Sequence, residues 1–219
     1  MPRLTWDKTG ERRYETGASK AVLYPYTDDA YGAGVAWNGL TKVSEKPSGA
    51  EPTALYADDG KYLNILSAET FAATISAYMY PDEFKPCIGE EEVVAGMSIG
   101  QQDHQMFGFS YQTIIGNDTK HTAYGYKIHV VYGCTASASQ KDRETVNDNP
   151  SATEMSFEIS TTPVDVTGFK PTATLEFDST KLSEKQMKAV EDALYGDTSN
   201  PAKLPTPDEF KTLIQQAAS

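Results

Sequence analysis

The chain has 219 residues, a formal net charge of −12 at pH 7 and a pI near 4.7, which is length enough for one sizeable domain with a real core. No run of about 18 apolar residues occurs, which excludes a membrane-spanning helix, and the acidic balance argues against a protein that grips nucleic acid through a basic face. Residues 1–20 carry five basic side chains but no apolar stretch behind them, so they do not read as a secretory signal. Cys87 and Cys134 are too few for a disulfide scaffold or a four-cysteine zinc site.

Leu, Ile, Val and Phe together make only 39 of 219 residues, whereas Tyr numbers 13 and Thr 23. That balance suits half-buried strands around a thin core more than disordered chain. Assembly with other protein would supply the missing burial. Charge is uneven: residues 1–20 sum to +2 and residues 21–100 to −8.

In chain order, Lys20-Ala21-Val22-Leu23-Tyr24-Pro25-Tyr26 reads as a strand stopped by Thr27-Asp28-Asp29. Residues 35–45 alternate well enough for a second strand, with Val35, Trp37 and Val43 on one parity. Lys46-Pro47-Ser48-Gly49-Ala50-Glu51-Pro52 is a breaker cluster. From there to residue 67 the pattern is irregular but holds Leu55, Tyr56, Tyr62, Leu63, Ile65 and Leu66. A structureless connection of about 20 residues is usually functional. This one fits docking on a neighbour, and equally an Ω-loop folded back on its own domain.

Strand periodicity resumes with Phe71, Ala73, Ile75, Ala77 and Met79 facing one way and Thr74, Ser76, Tyr78 and Tyr80 the other. Glu90-Glu91-Glu92 is expected in a short helix or turn. Residues 105–115, turn chemistry at Gly116-Asn117-Asp118, and residues 124–132 form the clearest hairpin pair. Residues 136–150 are polar and break the pattern. Residues 154–160 alternate strictly, with Met155, Phe157 and Ile159 inward; residues 172–178 repeat this with Ala173, Leu175 and Phe177. Such alternation means antiparallel sheet with one wet face. Two C-terminal helices follow. The first starts at a capping box of Ser183 and Gln186, with Leu182 and Met187 as staple and Gly196 as stop. The second starts at Thr206-Pro207-Asp208-Glu209.

Catalytic chemistry is hard to find. His104, His121 and His129 have no metal-ligand spacing. The two cysteines read as free thiols with no base at a motif distance. Carboxylates are too many for any pair to stand out, and no nucleophile elbow, phosphate loop or zinc-protease motif occurs. Asn117-Asp118-Thr119 matches a glycosylation sequon without secretory context.

The chain resembles the major tail proteins, the tail-tube subunits of long-tailed bacteriophages with non-contractile tails. The segments that carry the resemblance are Lys20-Ala21-Val22-Leu23-Tyr24-Pro25, Trp37-Asn38-Gly39-Leu40-Thr41, Pro47-Ser48-Gly49-Ala50-Glu51-Pro52 and Lys61-Tyr62-Leu63-Asn64. Tyr80-Pro81-Asp82-Glu83-Phe84, Ile99-Gly100-Gln101-Gln102 and Ile115-Gly116-Asn117-Asp118 continue it. Gly125-Tyr126-Lys127-Ile128-His129, Ser160-Thr161-Thr162-Pro163-Val164 and Leu204-Pro205-Thr206-Pro207-Asp208-Glu209 complete it along nearly the whole chain.

The resemblance implies a mainly β fold, a β-sandwich or barrel-like core of antiparallel sheets, with one or two C-terminal α-helices. It is expected as a single domain over residues 1–219, with an N-terminal arm (1–18), a long inter-strand stacking loop (46–67) and a C-terminal helical part (179–219). It implies a structural virion protein with no enzymatic activity and no cofactor or metal. Such subunits form rings of six that stack into a tube with an acidic channel for DNA. The implied partners are further copies of the chain, tape-measure and tail-tip or terminator proteins, and DNA that passes without specific binding, with no membrane. The protein would be made in the host cytoplasm and end in the virion. Pro47, Gly49, Leu55, Tyr56, Asp58, Asp59, Lys61, Tyr62 and Leu63 are the expected inter-ring contacts. Glu154, Glu158 and Glu176 are candidate acids of the channel wall. The alternative is a carbohydrate-binding β-sandwich module that stacks sugars on its many tyrosines, as a receptor-binding or decoration protein. An acidic glycosidase ranks third.

Overall fold

The structure is a computed structural model that describes residues 3–143, 145 and 152–218. It is mainly β, with antiparallel sheets and two C-terminal helices. Its spine is a long hairpin of β10 (Phe107–Asn117) and β11 (His121–Ala136). β1 (Arg13–Thr27) pairs with the other edge of β10, and short β2 (Ala30–Tyr31) and β3 (Val35–Trp37) pair with β1. β4 (Leu40–Glu45), β7 (Ala72–Ala77) and β12 (Met155–Thr161) join in that order to the end of β11, while β13 (Thr174–Asp178) pairs with its middle. The sheet curls until β4 lies beside β1 without joining its ladder, an open barrel.

Both parities of the central strands are buried. Ala21 and Leu23 face the barrel interior, and Val22 and Tyr24 face the helices, with none of the four above 7 % exposed. The interior is largely aromatic. Phe84 is fully buried and meets Trp37 at 4.5 Å, Phe157 at 5.1 Å and Phe107 at 5.3 Å between ring centroids. Tilted and edge-on contacts of this kind add to the burial of large rings, which explains how a chain poor in aliphatic residues fills a core.

On the outer face, α1 (Glu184–Tyr195) and α2 (Pro207–Ala217) cover Ile128, Val130, Tyr132 and Phe177 with Met187, Val190, Leu194 and Phe210. Both capping boxes expected from the sequence are present. Tyr24 donates its hydroxyl hydrogen to Leu194 O at 2.8 Å, and Tyr132 donates to Pro205 O at 2.7 Å. These bonds satisfy carbonyls around the helix ends and tie the helices to the sheet. No helix among the described residues is long and apolar enough to cross a membrane.

One strand serves two branches of the sheet because of Gly133. β11 pairs with β13 through residues 127–131 and with β12 through residues 134–136, and its register against β10 slips by one residue between Val131 and Cys134. Gly133 sits at that slip with φ +57°. The slip flips the inward parity from Val131 to Cys134 and Ala136, as a bulge must.

Several expectations need correction. The second strand is two, β3 and β4, broken by Asn38-Gly39, where Gly39 has φ +81°. Met79 lies outside β7 and is exposed, while Tyr80, expected outward, packs on the interior. The N-terminal arm ends at Arg12, not residue 18, because Arg13 to Thr16 already pair with β10. Residues 46–67 are not a structureless loop: they contain the hairpin β5 (Pro52–Ala57) and β6 (Gly60–Leu66). After two single 3₁₀ turns (Asp82–Phe84 and Pro86–Ile88), Glu91 and Glu92 lie in β8 (Glu91–Val94), which pairs with β9 (Met97–Ile99) as a second small hairpin. Of the polar stretch 136–150, residue 144 and residues 146–150 lie outside the described residues.

Gly133→Ala should be destabilising beyond the cost of its positive φ, because a Cβ there would stand 2.2 Å from Thr162 O. The expected loss is about 1–3 kcal/mol, read as a drop of several degrees in Tm. Gly168→Ala is the control, since it has φ +82° but no atom within 4 Å of its added methyl. Equal losses from the two would show that the close approach at Gly133 does not matter.

Candidate functional site

Three segments stand off the body with little burial: the arm at residues 3–9, residues 49–69 apart from Ala54, and residues 91–101. The middle one is the largest. Its root is clamped by a Ser48–Thr70 bridge, with a hydroxyl hydrogen bond of 2.8 Å between the same pair. Asp58 and Asp59, at φ +50° and +60°, form the tip between β5 and β6. Positive φ at both central residues is the geometry of the turn that matches the twist of a two-residue hairpin, and Asp and Asn tolerate it best after Gly.

Within this hairpin Leu55 lies opposite Leu63, and Thr53 opposite Ile65 on the same face. Pro52 lies opposite Leu66, on the other face. Tyr56 and Tyr62 are 74 % and 71 % exposed, and Leu55, Leu63, Ile65 and Leu66 are also exposed. Neither face of the two-stranded sheet is covered by its own subunit. Burying a large apolar side chain is worth about 1.5–3 kcal/mol relative to water, and an isolated hairpin is marginal in water at best. All nine residues expected at this surface are exposed and lie on the hairpin or its root: Pro47 and Gly49 at the root, Leu55 and Tyr56 on β5, Asp58 and Asp59 at the tip, Lys61, Tyr62 and Leu63 on β6.

The three candidate wall acids are not brought together. Glu154 and Glu158 lie on the exposed side of the β12 region, where Glu154 accepts a hydrogen bond from Thr41 and Glu158 lies 3.6 Å from Lys46 Nζ. Glu176 stands apart on β13, where it accepts from Lys127 Nζ at 3.1 Å, opposite His129.

Glu176 borders a polar cluster in the seam between β1 and β4, where a cleft of about 460 Å³ is lined by Glu15, Glu45, Tyr111, Thr113 and His129. Tyr111 donates to Glu45 at 2.5 Å, and its ring stacks on His129 at 4.7 Å. Burial and then Glu45 push the Tyr111 hydroxyl far above its ordinary pKa. Thr113 lies 2.9 Å from His129 Nε2 and 2.6 Å from Glu15 Oε1. Thr113 has one hydroxyl hydrogen, and the short contact to a carboxylate takes it. His129 Nε2 is then the donor toward Thr113, so it does not act as a base on that hydroxyl. The cluster closes the barrel seam with charge pairs and does not activate a nucleophile.

The other reactive groups are quiet. Cys87 and Cys134 are free and buried; burial pushes the Cys87 thiol up to about 12 and Cys134 upward as well. His104 Nδ1 lies 2.7 Å from Ala136 O, and His121 opens β11 just after the hairpin turn. Among the described residues no group of three His, Cys, Asp or Glu side chains converges as a metal site would require. Asn117 of the sequon is 2 % exposed, and its Oδ1 accepts from the backbone of Thr119 and Lys120, so it is a turn cap.

No family model matches the chain, and no curated protein matches it.

Glu15 shows how the seam is held. Burial raises its pKa, but hydrogen bonds from Thr113 and Lys127 and the charges of Lys127 and His129 outweigh that and leave it below its ordinary value of 4.5. A carboxylate lowered in the folded state adds stability above its unfolded pKa, and that stability is lost as pH falls through the folded value. Glu15→Gln should therefore lower Tm by about 1–3 °C at pH 7, given how little exposed pairs contribute. The gap should narrow as pH falls below 4.5 through the folded value. A gap that stays constant from pH 7 to pH 3 would contradict the assignment.

Proposed function

We propose that this chain is a structural assembly protein, the tail-tube subunit of a long-tailed bacteriophage with a non-contractile tail, without enzymatic activity. In this reading subunits join into rings of six, and the rings stack into a tube that conducts DNA during ejection. Tape-measure and tail-tip or terminator proteins meet the tube at its ends, and the protein moves from host cytoplasm to virion. The sequence resemblance motivates the reading, and the antiparallel barrel-like fold with its two C-terminal helices is compatible with it.

The observation that carries it is the β5–β6 hairpin. Six large apolar side chains stand in solvent on a two-stranded sheet whose root is fixed and whose faces are uncovered. A patch of that kind marks a protein interface, and repeated copies of the chain supply the cover at every step of a tube. Asp58, Asp59 and Lys61 at the tip set register through rim charge pairs. The net charge of −12 serves the same function: a negative wall repels phosphate, so DNA slides without sticking. Glu154, exposed and without a cationic partner among the described residues, suits such a wall better than Glu158, which pairs with Lys46, or Glu176, which pairs with Lys127.

The test is to replace residues 50–63 by a short Gly-Ser linker. The Ser48–Thr70 bridge still closes the root, and the hairpin contributes no residue to either core cluster. Concentrated wild-type protein should show rings or tubes by negative-stain microscopy, and the replacement should remain a folded, soluble monomer. Wild-type protein that forms neither rings nor tubes would contradict the reading, and tubes of normal length from the replacement would remove the β5–β6 hairpin as the stacking surface.

A further inference from the structure

We infer that the N-terminal arm of one subunit docks head to tail on the β8–β9 hairpin of a second copy of this chain. The inference rests on the reading of the chain as a self-assembling subunit and names two surfaces that the β5–β6 hairpin does not include.

The first surface is the arm. Leu4 and Trp6 are 75 % and 76 % exposed. The arm is not loose at its base: Gly10 N–H donates to the Asp118 carboxylate at 2.9 Å, Asn117 Nδ2 donates to Gly10 O at 3.2 Å, and Asp118 N–H donates to Arg12 O at 3.2 Å. Glu11 N–H donates to Lys8 O, and Arg12 Nε to Asp7 O, so residues 7–12 hold their own turn. The arm thus presents a tryptophan, a leucine and the cations Arg3 and Lys8 on an anchored stalk. Residues 3–12 carry Arg3, Lys8 and Arg12 against Asp7 and Glu11, a net +1 on a chain of −12.

The second surface has the opposite charge and the same apolar character. Residues 90–103 contain Glu90, Glu91, Glu92 and Asp103 and no Lys or Arg. Val93, Val94, Met97 and Ile99 are exposed, with Val94 opposite Met97 and Glu91 opposite Ile99. Lys141 pairs with Glu90. Among the described residues, Arg3, Lys8 and Glu91 enter no ion pair within the subunit.

The two surfaces do not meet in one subunit. The arm is anchored at the Asn117–Asp118 turn, and the β8–β9 hairpin is rooted at the other end of the β10–β11 ladder. There Gln105 N–H donates to Pro86 O, and His104 sits on Ala136 O. The ten steps from Phe107 to Asn117 span about 33 Å. Trp6 is four residues from Gly10, a reach of about 14 Å at most. The whole β8–β9 hairpin is exposed, so it does not lie back along the ladder. A basic, apolar end and an acidic, apolar end on opposite poles of a rigid body make a heterologous contact, which propagates copy after copy and does not close a two-fold dimer. Trp6 supplies a large rigid anchor, and Met97 an adaptable seat for it.

The experiment uses full-length chains with Arg3→Glu/Lys8→Glu, with Glu91→Lys/Glu92→Lys, and with all four changes together. Light scattering across a concentration series should show each double variant needing about tenfold more protein to associate than wild type. The four-fold variant should recover, because every reversed arm then meets a reversed hairpin. A Thr5→Cys/Ala95→Cys chain, which keeps Trp6 and the apolar seat, should form disulfide-linked oligomers on mild oxidation. Adding Arg3→Glu/Lys8→Glu should suppress them, and the native Cys87 and Cys134 are buried. If wild type and both double variants form tubes alike, this inference is overturned while the tube reading survives. If wild type forms no rings or tubes but the cysteine chain cross-links between copies in a charge-dependent way, the arm–hairpin contact stands and the tube reading fails. Absence of cross-links in a wild-type-like assembly also overturns it.

Discussion

Burial of both faces of β11 is the constraint on which the rest of the structure depends. A sixteen-residue strand gives one parity to the barrel interior and the other to the helices, and it must change partners from β13 to β12 on the way. The change is made by a single inserted position at Gly133, whose N–H donates to Tyr31 Oη and whose carbonyl accepts from Thr162 N–H. With the bulge, Val131 and Cys134 both reach the aromatic interior and Ile128, Val130 and Tyr132 reach the helices. Without it, Cys134 and Ala136 would point away from the aromatic interior.

That arrangement divides the molecule into a rigid body and segments that the body leaves uncovered. Nearly all the scarce aliphatic and aromatic residues of the central strands are used inside, through close ring packing and tyrosine hydrogen bonds to the helix ends. The apolar residues left over are not scattered. Most of them gather on the arm, on β5–β6 and on β8–β9, while Tyr14, Tyr78, Met79 and Phe169 lie elsewhere. A monomer tolerates single exposed apolar residues readily, and contiguous ones on hairpins with no cover of their own are what the proposed assembly would bury. The seam between β1 and β4, filled by Glu15, Lys127, His129 and Glu45, is where the subunit's own sheet stops short of closure.

The elements that could be read in the sequence are those whose signal is local. The alternation of Phe107, Phe109 and Tyr111, and of Phe157 with Ile159, survives into the core because period two is enforced by burial on one side. Ser183 with Gln186 and Thr206 with Glu209 mark the helix starts because a capping box is complete within four residues. The β5–β6 hairpin was hidden although Asp59-Gly60 between apolar runs is a recognised turn signal: with both faces exposed, its residues show no in-and-out alternation. The β8–β9 hairpin is only four and three residues a strand, and three successive glutamates mask it. The exposed surface residues themselves were legible as apolar side chains without an evident home. The parity flip at Gly133 was not, since it depends on a partner strand more than 20 residues away.

The central claim is that the uncovered segments are interfaces between copies of one chain. Backbone amide hydrogen exchange, compared between dilute monomer and concentrated assembly, tests it most directly. The account predicts fast exchange of residues 52–66 and 91–99 in the dilute protein, strong protection of both on assembly, and little change in β10 and β11, which are protected in either state. A protein that stays monomeric at every concentration, or an assembly that protects the helices while both hairpins go on exchanging freely, would contradict it.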